Sequence, residues 1–75
     1  MPHSTIIINY RSGQPAANKK VVISFQYGGV TNGEFTNKNG EVTISHSSSG
    51  KCKIIVDGAT KISGWHAPGR TSITI

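Results

Sequence analysis

An all-β fold is expected for this chain: a small, single-domain antiparallel β-sandwich of about seven strands over residues 1–75. Val, Ile and Thr dominate segments in which apolar and polar residues alternate, the pattern of a half-buried pleated surface. Gly, Asn and Ser interrupt these segments at intervals of about eight to ten residues, and no stretch carries helical periodicity. Asn39-Gly40 and Asp57-Gly58 are dipeptides that tight hairpin turns favour.

In chain order, strands are expected at residues 4–10, 20–27, 30–37 with a break near Gly33, 41–46, 51–56, 60–63 and 70–75. In the second, Val21, Ile23, Phe25 and Tyr27 share one face, and Phe35 in the third is also expected to point inward. Val42 and Ile44 point inward in the fourth, Cys52, Ile54 and Val56 in the fifth, and Thr71, Ile73 and Ile75 in the last. Ala16, Ala17 and Asn18, after Pro15, allow at most one turn of helix.

Aligning apolar faces chooses the register at two turns. A two-residue Asn39-Gly40 turn of type I′ pairs Phe35 with Ile44. At Asp57-Gly58, a two-residue turn would set Ile62 against Lys53. A three-residue loop with Gly58 in a bulge instead sets Ile62 against Cys52, and therefore Lys53 against Lys61.

Seventy-five residues lie near the lower limit for a self-supporting core, and one cysteine excludes an internal disulfide. No secretory leader or apolar membrane span is visible, and the lone thiol suits a reducing compartment, so a cytoplasmic location is expected over a secreted one. Eight basic and three acidic residues give a net charge of +5. That excess favours either an anionic partner or solubility of an Ile-rich β-protein.

"GQPAANKKVVISF" is similar to the opening "G-x-P-x-x-x-x-x-V-x-I" of carboxypeptidase regulatory-like domains. "TNKNGEVTI" resembles their "T-D-x-x-G-x-hydrophobic" turn, and "SGKCKIIVDG" their "G-x-Y-x-I-x-V-x-G". The resemblance covers roughly residues 5–58 and implies a transthyretin (prealbumin-like) Greek-key sandwich. It also implies an accessory or adhesion module without catalytic residues. Cys52 stands where the family has an aromatic residue, Asn37 where Asp is common, and the tail from Gly64 matches no pattern.

Chemistry has few candidates. His3, His46 and His66 are 43 and 20 residues apart, with no carboxylate close in sequence, so no metal site or cofactor is expected; His46 is expected to be half-exposed. Cys52, in phase with Ile54 and Val56, reads as a buried hydrophobe. Glu34, Glu41 and Asp57 lie at or beside turns, and no nucleophile–base set has local support, so an enzyme is not expected. "HSSSGK" lacks the glycine spacing and following helix of a phosphate loop.

The candidate partner-binding residues are Lys51, Lys53 and Lys61, on one outer face, with Trp65 and Arg70 in the connection 64–70. Opposed lysines destabilise a strand pair unless an anion neutralises them, although edge lysines also block strand addition. Trp65 is either an exposed anchor or a lid over a small core. Two functions follow: a non-enzymatic protein-interaction or self-associating module, and a small basic domain binding nucleic acid or another polyanion. The inward aromatics expected above count against the second, because single-strand binders expose such rings.

Overall fold

The structure, a computed structural model, describes residues 2–75. Eight strands form: His3–Asn9 (β1), Lys20–Phe25 (β2), Gly29–Val30 (β3), Glu34–Phe35 (β4), Glu41–Ser45 (β5), Gly50–Val56 (β6), Ala59–Ala67 (β7) and Arg70–Thr74 (β8). One sheet has the order β5-β1-β8; the other runs β3-β2-β6-β7, with β4 also on β2. All pairings are antiparallel except β1 with β8, which run parallel.

The alternation read from the sequence builds the core between the sheets. Ile6 and Ile8 of β1, Val42 and Ile44 of β5, and Ile73 of β8 face Val21, Ile23 and Phe25 of β2 and Cys52, Ile54 and Val56 of β6. Ile6, Ile8, Ile23 and Ile54 are fully buried, each stabilising by about 1.5–3 kcal/mol relative to an exposed side chain. Residues 16–18 form a turn with Asn18 at φ 58° in place of a helical turn.

The segment 30–37 departs from expectation. It pairs with β2, through Lys20↔Phe35 and Ser24↔Val30, while β5 pairs with β1. Lys20 and Ser24 point away from the core, so Val30 and Phe35 do too, and Phe35 is 62% exposed. Tyr27, 92% exposed, is also outside because β2 ends at Phe25 and the chain turns. Between β3 and β4, Thr31 replaces a ladder partner: its Oγ1 accepts the Ile23 N–H and its own N–H donates to Ile23 O.

The Asn39-Gly40 turn is a three-residue loop. Gly40 N–H donates to Asn37 O, Asn37 N–H donates to Glu41 O, and only Gly40 takes a positive φ, 75°. Asn37 Oδ1 fixes this shape by accepting from the N–H groups of Asn39 and Glu41. The Phe35–Ile44 pair is therefore not formed.

At Asp57-Gly58 the turn is the two-residue type I′ form, with φ of 51° and 85° and Val56 opposite Ala59. Apolar alignment is recovered downstream. A bulge at Lys61 places Ile62 opposite Ile54, and a second at Gly64 places Trp65 opposite Cys52. Lys53 consequently faces Ser63, and the Lys53–Lys61 opposition does not occur. Asp57 also anchors the start of β2, its Oδ1 accepting the Lys20 N–H and its Oδ2 lying 3.6 Å from Lys19 Nζ.

Candidate functional site

Lys51 and Lys53 alternate with Cys52 and Ile54 on β6, so the buried pair fixes the lysines on the outer face. Two steps along a strand set them about 7 Å apart. On β2, Ser24 pairs with Lys53, and Gln26 N–H donates to Lys51 O, bringing both β2 residues alongside. Ser63 and His66 of β7 lie on the far side, opposite Lys53 and Lys51. Ser24, Gln26, Lys51, Lys53, Ser63 and Gly64 border a shallow groove of about 640 Å³. Gly64 takes a positive φ of 76° in the second bulge of β7, the conformation that favours glycine there.

The lysine face is electrostatically one-sided. Asp57 pairs with Lys19, and Glu41 of β5 pairs with Arg70 of β8 at 3.6 Å on the other sheet. Lys19 is held protonated above the ordinary lysine range, first by the Tyr10 hydroxyl and then by Asp57. Glu34 faces the gap between the sheets, beside Val21. Among the described residues, Lys51, Lys53 and Lys61 have no carboxylate within 4.0 Å. Apolar groups share the same outer face: Val22 opposite Ile55, then Val30 and Phe35.

Of the five candidate residues, Lys51 and Lys53 come together and Lys61 sits exposed in its bulge on the neighbouring strand. Arg70 belongs to the opposite sheet, tied to Glu41. Trp65 is a strand residue rather than a loop residue. It is half-buried, packs on the core and closes over Gly69, where a Cβ would stand 3.3 Å from the ring.

Cys52 is buried, and its thiol donates to Trp65 O at 3.3 Å. Burial pushes the thiol up from its ordinary range, so it stays neutral at physiological pH. Native Cys52 is expected to react with a thiol reagent only at the rate of global opening, and Cys52→Ala to lose stability alone. Immediate labelling of the folded protein would contradict this. The sign of the linkage is definite: stability associated with this thiol is intact below the unfolded pKa and declines as pH rises above it.

Sequence reasoning missed one buried polar pair. Ser4 Oγ lies 2.7 Å from His46 Nε2, and His46 Nδ1 donates to Ser48 O at 2.6 Å. The second bond leaves Nε2 as the acceptor for the Ser4 hydroxyl. His46, expected half-exposed, is 4% exposed and tilts against Phe25 with ring centroids 5.1 Å apart. Ser4 is fully buried, so the pair ties β1 to the end of β5. Its only sequence signal is the inward phase shared by Ser4 with Ile6 and by His46 with Ile44.

Among the described residues, no group of three metal-ligating side chains converges, and no helix is long and apolar enough to cross a membrane. No family model, curated protein or solved structure matches the chain.

Proposed function

We propose that this chain is a non-enzymatic interaction module whose lysine face, centred on Lys51 and Lys53, docks an acidic partner protein. The partition of charge carries this reading: two of three acids are committed to Lys19 and Arg70, while four lysines of one sheet, Lys20, Lys51, Lys53 and Lys61, stand without carboxylates among the described residues. Apolar Val22, Ile55, Val30 and Phe35 on the same face offer the mixed chemistry of a protein interface. The resemblance to carboxypeptidase regulatory-like domains supports an accessory role in the same sense. A second reading, single-stranded nucleic acid, gains from Tyr27 and Phe35, whose outward rings are available for base stacking.

An NMR titration with polyglutamate and with oligothymidylate, at low and physiological salt, separates the two readings. The acidic polypeptide is expected to shift Ser24, Lys51, Lys53 and Ser63. A K51Q/K53Q variant should bind several-fold more weakly, an effect that shrinks as salt rises, while its melting midpoint stays unchanged. Tighter binding of oligothymidylate, with shifts at Tyr27 and Phe35, would select the second reading. Shifts confined to residues 64–70 would remove both and make the Trp65 segment the docking surface.

A further inference from the structure

We propose that the cleft between β5 and the β3–β4 segment accepts an extended peptide carrying a lysine, which adds to β5 as a further strand. The proposal starts from hydrogen-bond phase. β5 lies at the edge of its sheet, with β1 on one side and no strand on the other. Ile8 N–H donates to Gly40 O and His46 N–H to Pro2 O, so even-numbered residues of this stretch aim their backbone at β1. The odd-numbered Thr43 and Ser45 therefore aim theirs away from it, into the cleft. Their side chains turn to the outer face instead, Thr43 Oγ1 to Thr5 and Ser45 Oγ to His3. Both residues nevertheless border the cleft, as they do if their backbones form its wall.

The facing wall belongs to the other sheet. Val30, Thr31 and Glu34 come from the broken segment at its free edge, and Phe25 and Ile44 contribute apolar surface beneath. The cleft holds about 430 Å³, space for a short length of extended chain. A peptide antiparallel to β5 exchanges paired bonds with Thr43 and Ser45 through alternate residues. The residues between them point inward. Opposite His46, such a side chain meets Phe25, whose ring contacts that of His46 just beyond the end of β5. Opposite Ile44, it is directed to Glu34, because the bond from Asn37 N–H to Glu41 O sets Glu34, three residues before Asn37, across from Ile44, three residues after Glu41, and both border the cleft.

Charge selects the occupant. Glu34 is the one carboxylate bordering the cleft, and among the described residues it has no basic partner within 4.0 Å. His46 has both ring nitrogens engaged, with Ser4 and Ser48. The inserted strand thus carries an apolar residue followed two positions later by lysine. This site is separate from the lysine face and of opposite charge preference, so either can fail without the other.

The probe is the capped pentapeptide Thr-Val-Thr-Lys-Thr, titrated into the full chain and followed by NMR and amide hydrogen exchange. Thr43 and Ser45 amides are expected to shift, and at ten times the dissociation constant their protection should rise about tenfold. Replacing the peptide lysine by glutamine should weaken binding about two- to fivefold in the native chain and have no effect in Glu34→Gln. Thr43→Pro removes an N–H that β1 does not use, so it should fold and yet fail to bind. A peptide N-methylated at its central residue should fail with the unaltered protein. Equal binding by Thr43→Pro or by the methylated peptide would overturn the proposal, as would shifts confined to Lys51 and Lys53. Protection of Thr43 and Ser45 that grows with protein concentration alone would overturn it in favour of a second copy. Displacement of the peptide by oligothymidylate would do so in favour of nucleic acid.

Discussion

Replacing Gly40 by valine is expected to destabilise the domain by at least about 3 kcal/mol, lowering the melting midpoint by roughly 12–24 °C. Two effects add. Gly40 has φ 75°, a conformation that resists a β-branched residue. Its Cβ would also press on the carbonyl oxygen of Ile8 and stand 3.1 Å from Ala16 N, both buried backbone. Those atoms are not free to move, since Ile8 N–H donates to Gly40 O at 2.7 Å and Ala16 N–H donates to Ile8 O at 2.9 Å. A domain of this size has a total stability of about 4–11 kcal/mol, so the variant approaches unfolding at physiological temperature. Gly13→Ala is the control. Gly13 also has positive φ, 93°, but open space where a Cβ would sit. Thermal unfolding should show Gly40→Ala losing at least twice as much as Gly13→Ala; equal losses would leave the Ile8 contact without energetic weight.

Thr36→Val should be the second most damaging change, at about 2–4 kcal/mol despite nearly equal side-chain volume. Thr36 is 2% exposed, and its Oγ1 donates to Ala16 O at 2.6 Å while accepting the Lys19 N–H at 3.0 Å. Its backbone exchanges further bonds with Lys19 O and the Asn18 N–H. One residue thereby holds the β1–β2 connection against the chain entering β5. Valine leaves a buried carbonyl and an amide without partners, whereas Thr36→Ser preserves both bonds and should lose about 1 kcal/mol. Urea unfolding with unchanged slope provides the measurement. Valine no worse than serine would mean that water replaces the hydroxyl.

Apolar alternation made the two-layer architecture and the inward phases of β2, β5, β6 and β8 legible, because burial acts on each strand by itself, whereas the consecutive Ile6, Ile7 and Ile8 of β1 show no alternation. Pairing was less legible. At Asp57-Gly58, turn chemistry and core alignment demanded different registers, and the sequence showed no way to satisfy both. The molecule does so with an additional residue, Lys61, placed beyond the turn. Phe35 was misplaced for a related reason. Its short segment pairs with β2 rather than with the strand following the turn, a choice between non-local partners that alternation cannot rank. The lysine face was visible as composition, and Lys51 and Lys53 emerge together because they share one strand. The β5 cleft was not visible, since it is made of backbone groups exposed by the absence of a neighbouring strand.

The parallel pairing of β1 with β8 determines how the domain bears load. Thr5 pairs with Arg70 and Asn9 with Thr74, so His3 and the end of β8 lie at opposite ends of one strand pair. A tether entering at His3 and leaving beyond Thr74 would pull these two neighbours past each other along their length. The bonds between them, extended by Ile75 N–H to Asn9 O, then share the force in shear instead of opening one after another like a zipper. Under such a pull, this small sheet would resist traction along its own strands.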